Sequence, residues 1–496
     1  MNNNEIIFKD KILDNVHGFI EYTEAEGKII EMLIFKRMQS IKQLSIVNWV
    51  FPGSEHTRYT HSLGVMHICD KIAIQLKLSN YERRIVRFAG LLHDIGHYPL
   101  SHVGETPYKD NPESIDCDNF SKNYNLGIKH KIDDFVNKFE TDFMTAKCEK
   151  GHHEYIGAEV IKRNDDIRDI IIDECGSENV IDIICDMIKG NAERNGTDPL
   201  LVQILHSELD ADGIDYMLRD ATFSGTSFGS FELDMLIKCM VIHTYKYNEK
   251  SYRILCIEPK AISAADQYLI NKFFSSSQIV FNNHVSILEW MAESIVDWMQ
   301  KNDTYFPSIN TLFEWISDKD NKYAKYISFN DNYFWASLQN IIDNPASKTF
   351  PPYIVNLCAN LLTHKELKFV QNSEFKIISS EEEDIKKGLH ESEAYKHLEI
   401  NDNHITLLST KKISKHIPFK QFEEKLLSKK ASEQKPHDED EKDEEKRKIG
   451  RLMDGICVLD GNDVHLLCDD NRSLMQKLYN TTLVILRSYK LDAPNH

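Results

Sequence analysis

YERRIVRFAGLLHDIGHYPLSH (Tyr81–His102) decides the reading of this chain. Ile85, Phe88, Ala89 and Leu92 recur at i, i+3, i+4 and i+7, a single apolar stripe of a helix. Ser79 and Asn80 offer N-cap oxygens just before it, and Gly96 stands where the helix could stop. The stripe runs straight into His93 and Asp94, so both side chains are drawn toward the interior. An unpaired carboxylate is costly there. A divalent ion removes that cost, since imidazole and carboxylate hold it together while other ligands arrive from separate helices.

Upstream, HTRYTHSLGVMH (His56–His67) supplies His56, His61 and His67. Val65, Ile68, Cys69, Ile72 and Leu76 predict a helix from about Leu63 to Leu76. Downstream come His97, His102, His130 and the pair His152–His153. SELDADGIDYMLRD (Ser207–Asp220) adds aspartates to an amphipathic helix. Its stripe of Leu209, Ile214, Met217 and Leu218 leaves too little solvent face for Asp212, Asp215 and Asp220 together. Any one of these histidines reads more simply as a core or cap residue satisfied by backbone carbonyls. Acidic pairs on a helix are often plain surface charge. The set as a whole favours a metal site.

Farther out, the pattern is mostly helical from about residue 28 to about 365, with further helices at Tyr155–Arg163, Pro199–Leu218 and Gln267–Met299. A polar Lys/Asp/Asn-rich stretch at about 107–151 reads as an insertion. After Glu366 apolar residues alternate with polar ones (Phe369, Phe375, Ile377, Ile378; Ile405, Leu407, Leu408), which predicts short strands. A run at 429–448 with almost no apolar residue reads as a solvated acidic linker. The expectation is a mainly α chain with a helical unit at 1–365 and a smaller α+β appendage at 366–496.

Lys and Arg total 59 against 78 for Asp and Glu, a formal charge of -19. Such a surface repels polyanions on average and argues against a general DNA-coating role, although a local basic funnel stays compatible. No run of about 18 apolar residues occurs, so no membrane-spanning helix is expected. The N-terminal MNNNEIIFKDKILDN carries no apolar signal segment. The ten cysteines are scattered without a CxxC pair, which fits thiols in a reducing cytosol. A soluble, cytoplasmic protein is expected.

Six stretches carry a resemblance: HGFIEYTEAEGKII (His17–Ile30), FKRMQSIKQL (Phe35–Leu44), VFPGSEHTRYTHSLGV (Val50–Val65), AGLLHDIGHYPLSH (Ala89–His102), HHE (His152–Glu154) and DADGIDYMLRD (Asp210–Asp220). Together, and in this order, they resemble the HD-domain phosphohydrolases, and within them the deoxynucleoside-triphosphate triphosphohydrolases. The resemblance covers roughly residues 15–300. It implies a helical HD-domain core in which His61, His93, Asp94 and Asp212 ligate a divalent metal (Mn, Mg, Fe, Zn or Ni). That ion would polarise a phosphoryl oxygen and lower the pKa of water. His97, His102 and His153 match the family's catalytic histidines, with His153 the foremost proton donor and Glu154 and Glu105 as orienting carboxylates.

In the family, water attacks the α-phosphorus, giving a deoxynucleoside and inorganic triphosphate. Arg58 matches the arginine on the phosphates. Gln43, Leu44, Tyr216 and Asp220 match the residues around the sugar, Asp220 taking the 3′-hydroxyl, and Asp210 opens the same segment. The match is incomplete. The family's lysine after the last metal aspartate is Gly213 here. Its basic and aromatic residues at four-residue spacing fall on Lys272, Ser276 and Val280, and only Lys272 keeps a charge. Glu31 is retained where family members bind an activating guanine nucleotide, but the arginine position holds Gln39. Homo-oligomers (dimer, tetramer or hexamer) are implied. Two other readings stay open: a phosphodiesterase, nucleotidase or exonuclease on another nucleotide or single-stranded nucleic acid, and a nucleotide-sensing module without turnover.

Overall fold

The computed structural model describes residues 3–109, 129, 152–192, 197–247, 250–344, 350–363, 370–399, 404–421 and 448–490. Most of the insertion expected at 107–151 lies outside these residues, as does the acidic run at 429–448 apart from Lys448. Among the described residues the architecture is mainly helical, with three small sheets.

The helix expected at Tyr81–Leu92 spans Asn80–Leu92. Ser79 is its N-cap: Ser79 Oγ accepts from the Glu82 amide, and Glu82 Oε2 accepts from the Ser79 amide at 2.9 Å. Ile85, Phe88, Ala89 and Leu92 are all buried. They pack on the Arg58–Gln75 helix, which begins five residues earlier than its apolar pattern. Arg87 is buried in the same layer, its charge met by Glu26 at 2.6 Å and Asp70 at 3.0 Å.

Two helices read as single from sequence are divided. Pro199–Leu218 becomes Pro199–Leu205 and Ala211–Ser224, with Asp210 as the N-cap of the second. Gln267–Met299 becomes Ile262–Ser275, a π-helical turn at Ser276–Val280, and Asn283–Lys301. In the π turn Ile279 is buried against Val47 and Val285 while Val280 is exposed.

Strands also occur ahead of and within the stretch expected to be helical. β1 (Phe8–Asp14) and β2 (Gly18–Thr23) form a hairpin, and β3 (Met240–Tyr247) and β4 (Lys250–Ile257) form another. The strands expected after 366 are β5 (Val370–Ser379) and β6 (His404–Lys412); β7 (Cys457–Asp460), β8 (Asp463–Leu466) and β9 (Thr482–Lys490) follow beyond the acidic run. One sheet runs β5-β9-β6, and another runs β3-β4-β7-β8. The second takes strands from both sides of position 366, through parallel pairing of Cys256 with Cys457 and Ile257 with Val458.

Candidate functional site

Three helical segments converge at one point. His61 lies one turn into the Arg58–Gln75 helix, His93 and Asp94 directly follow Asn80–Leu92, and Asp212 occupies the first turn of Ala211–Ser224. His61 Nε2 is 3.3 Å from His93 Nε2, 2.9 Å from Asp212 Oδ1 and 3.7 Å from Asp94 Oδ2. His93 Nε2 is 3.3 Å from Asp94 Oδ1 and 3.8 Å from Asp212 Oδ1.

The other ring nitrogens explain why a cation fits there. His93 Nδ1 faces the Gly90 carbonyl at 2.8 Å, and a carbonyl only accepts, so this nitrogen carries the hydrogen. His61 Nδ1 faces Asp215 Oδ2 at 2.7 Å and donates likewise. In their neutral forms both Nε2 lone pairs then face each other between two carboxylates, an arrangement that calls for a positive ion. His61, His93 and Asp94 offer donor atoms close enough to share an ion, and Asp212 closes the set. This is the donor chemistry of a divalent-metal centre.

A buried charge network holds His61 from behind. Asp215 accepts from His61, from His17 Nε2 at 2.6 Å and from Arg219 Nε at 2.8 Å. Arg219 Nη1 also reaches Asp14 Oδ2 at 2.8 Å, and Asp14 Oδ1 takes the Val16 and His17 amides in the β1–β2 turn. Burial would raise the Asp215 carboxyl, but Arg219, His17 and His61 override it and hold it well below the usual range.

Beside the metal set stands a second histidine group. His97 is fully buried and stacks on His153 with ring centroids 3.8 Å apart, and His102 meets both edge-on. Glu105, fully buried, joins them: Oε2 faces His102 Nδ1 at 2.9 Å, and Oε1 takes the His153 amide at 2.8 Å and His153 Nδ1 at 2.9 Å. Burial would lower the His153 imidazole, but Glu154 and Glu105 raise it to about 9. His97 is pushed the other way, well below its ordinary value, by burial and by the charges of Arg58 and His153. His153 Nε2 stands 3.8 Å from Asp94 Oδ1. Glu154 lies 3.5 Å from both His152 Nδ1 and His153 Nδ1.

The residues matched to phosphate and sugar have partners of their own. Arg58 donates to Asp94 Oδ2 and Ser101 Oγ, both at 2.9 Å, and to the Gln43 carbonyl at 3.3 Å. Burial would raise Asp94, but Arg58, His93 and His97 hold it well below the carboxylate range. Asp220 Oδ1 pairs with His56 Nε2 at 2.8 Å. Asp210 caps its helix, taking the Gly213 and Ser207 amides at 2.6 and 2.9 Å. Gln43 Oε1 is buried and has no hydrogen-bond partner among the described residues. Leu44 packs beside Val47, Ile279 and Val285. Lys272 Nζ lies 5.5 Å over the Tyr216 ring.

Sequence reasoning assigned no role to Asp215, His17, Arg219 or Asp14. One signal was available: Asp215 and Arg219 stand four residues apart on one helix face. The His17 contact spans 198 positions and leaves no local trace.

Residues 58–269 match the family model of the HD domain. An uncharacterised protein of Mycoplasma pneumoniae is 29% identical over 318 residues, 62% of this chain and 64% of that protein. The chain thus spans just under two thirds of that relative. The deoxynucleoside triphosphate triphosphohydrolase SAMHD1 homolog of Dictyostelium discoideum is 36% identical over 102 residues, 19% of this chain and 20% of the relative. The crystal structure of a phosphohydrolase from Bacteroides thetaiotaomicron shares the fold with a TM-score of 0.57 at 18% identity, covering 97% of this chain and 99% of its own. The segment that matches the HD-domain model carries His61, His93, Asp94, His153 and Asp212 of the site described above.

Proposed function

We propose that this chain is a metal-dependent phosphohydrolase that converts dNTPs to deoxynucleoside and inorganic triphosphate. The observation that carries it is the convergence of His61 and His93 Nε2 with Asp94 and Asp212, beside a His153 positioned by Glu105. The SAMHD1-type relatives and the HD-domain match support the nucleotide reading.

His61, His93, Asp94 and Asp212 would hold the ion. A divalent cation supplies Lewis acidity, polarising a phosphoryl oxygen and making water a stronger nucleophile. Arg58 neutralises charge on the phosphates next to Asp94. Gln43, with its unpaired Oε1, and Tyr216 bound the sugar, and Asp220, braced by His56, receives the 3′-hydroxyl. As water oxygen bonds to the α-phosphorus, the bond to the 5′-oxygen breaks. His153 donates its proton to that oxygen, with Glu105 fixing the ring and His97 stacked on its face. Leu44, Asp210, His102 and Glu154 shape this pocket around the reacting groups. We assign the enzyme to the cytoplasm as a homo-oligomer. No helix of the described residues is long and apolar enough to cross a membrane.

A second reading rests on Gly213, Ser276 and Val280, which lack the charges that the resemblance puts there. It makes the chain a phosphodiesterase or nucleotidase with the same metal centre, acting on another nucleotide or on single-stranded nucleic acid. Product analysis separates the two. The purified protein is incubated with each dNTP, and with short single-stranded DNA, in Mn²⁺ or Mg²⁺ with EDTA as control. Deoxynucleoside and intact triphosphate, lost in Asp212→Ala, support the first reading. Monophosphates or shortened DNA overturn it in favour of the second.

A further inference from the structure

We infer that the β1–β2 hairpin is a metal-retaining strap: His17, in its turn, is a positioning residue that fixes the His61 imidazole through Asp215. This deepens the proposed metal set and rests on that reading. It places part of the support for the ion ahead of residues 58–269, the segment that matches the HD-domain model.

Asp215 is the junction. Its Oδ1 takes His17 Nε2 at 2.6 Å and Arg219 Nη2 at 3.0 Å. Its Oδ2 takes His61 Nδ1 at 2.7 Å and Arg219 Nε at 2.8 Å. A carboxylate has about four lone-pair sites, so these four donors leave it one orientation. The His61 ring is then turned by a group that cannot itself rotate, and Nε2 is aimed at His93, Asp94 and Asp212. The Asp215 charge behind the ring also makes Nε2 a stronger donor to a cation.

Packing leaves the junction no room to shift. The side chains of His61, Asp215 and Arg219 are fully buried, and that of His17 is 3% exposed. Gly64, one turn beyond His61 on the Arg58–Gln75 helix, lies against the same groups. A Cβ there would come within 1.8 Å of Asp215 Oδ1 and 2.5 Å of Arg219 Nη2. The His17 ring itself packs on His67, with centroids 5.3 Å apart. An acceptor buried this deeply is costly once it loses a donor, so His17 is not a spare contact.

The turn presents His17 through its own backbone. Asp14 Oδ1 takes the Val16 and His17 amides, both at 2.9 Å, while Asp14 Oδ2 takes Arg219 Nη1 at 2.8 Å. Gly18 follows with φ +71°, and Asp14 pairs with Gly18 across the two strands. The circuit closes on itself: Asp14 holds Arg219, Arg219 holds Asp215, and His17 returns to Asp215. The rest of the hairpin is attached separately, by the fully buried Ile20 and by Arg87, which donates to the Glu21 carbonyl at 2.8 Å. A change confined to the His17 side chain therefore leaves the strands in place.

The test measures Mn²⁺ binding by the metal-stripped full chain, by titration calorimetry and by thermal unfolding with and without Mn²⁺. His17→Phe and His17→Ala remove the donor, the first keeping a ring in place, and His17→Gln carries an amide donor near the position of Nε2. The two donor-less variants should bind Mn²⁺ about tenfold more weakly, and His17→Gln within about threefold of wild type. The stabilisation that Mn²⁺ adds should shrink in step with the affinity. Weakened binding restored in His17→Gln supports the strap whether or not dNTPs are hydrolysed. A donor-less variant that melts lower with and without Mn²⁺ but keeps wild-type affinity has lost packing alone, and overturns the strap. Equal weakening in all three variants overturns the hydrogen-bond relay, since the donor then makes no difference. A wild-type chain that binds no Mn²⁺ overturns the metal set, and the strap with it.

Discussion

Glu105 serves two histidines with one carboxylate, Oε2 toward His102 and Oε1 toward the amide and ring of His153. Glutamine at this position keeps the shape but turns an amide NH₂ toward one partner that already donates. Glu105→Gln should therefore lower kcat about 10–100-fold, the usual cost of losing such a supporting contact, with little change in KM. Metal content by elemental analysis should stay at the wild-type level, because Glu105 is outside the ligand set; a chain that loses its metal would refute the positioning role. Asp331 offers a pH test away from the metal. Its two oxygens take the Leu100 and Lys42 amides at 2.7 and 2.9 Å, and burial raises its carboxyl to about 6 despite them. Between about pH 4, the unfolded value, and pH 6 the folded chain holds a proton that the unfolded chain has lost. The group's contribution is thus complete below pH 4 and falls as pH rises through 6, by ~1.4 kcal/mol for each pH unit between the two values. Asp331→Asn loses one acceptor but also this ionisation. Its stability deficit, measured by denaturant unfolding, should narrow from pH 4.5 to pH 7.5; a widening gap would contradict the assignment.

Local signals carry the helix entries and fail at the breaks. Ser79 and Glu82 make the capping box within four residues, so the start of the Asn80–Leu92 helix was legible. The break before Ala211 was not. Asp210 looked like one more acid in an acidic helix, and its capping of Gly213 becomes visible only when Ser207 and Gly213 both turn their amides to it. The β3–β4 hairpin escaped because its apolar residues follow a helical stretch, and the register that pairs Met240 with Ile257 is set by tertiary packing. The four residues of the proposed metal set came from the family resemblance, with His93 and Asp94 also marked by the apolar stripe that runs into them, whereas their Asp215 support depends on a hairpin nearly two hundred positions away. Close approach of elements makes its own prediction. A Cβ on Gly96 would meet the His153 carbonyl at 2.1 Å and the Gly157 amide at 2.2 Å, both backbone atoms that cannot step aside. Gly96→Ala must push the His153–Arg163 helix outward. We expect a loss of about 1–3 kcal/mol in stability, read by thermal unfolding, and loss of hydrolysis as His153 leaves its stack on His97. An active variant of wild-type stability would show that this contact does not position the donor.

At the scale of the whole molecule, the sequence divides near 366 because composition and period change there, but the fold is stitched across that line. β4 pairs with β7, Gln203 Nε2 donates to the Leu452 carbonyl at 3.1 Å, and Arg487 Nη1 donates to the Phe281 carbonyl at 2.7 Å. Asp266 takes Ser473 Oγ at 2.6 Å and the Leu474 amide at 2.8 Å, tying the helix of Lys272 to the chain leading into β9. Removing the C-terminal strands would strip β4 of one of its two partners and leave the Asp266 carboxylate buried without those donors. Stability is then shared, and the two parts should unfold as one unit. Calorimetry of the full chain should show a single transition, and the β9 amides should exchange with solvent as slowly as those of the Asn80–Leu92 helix. Asp266→Ala should lower that one transition by several degrees without splitting it. Two separate peaks, or fast exchange in β9 alone, would mean that the C-terminal region folds independently.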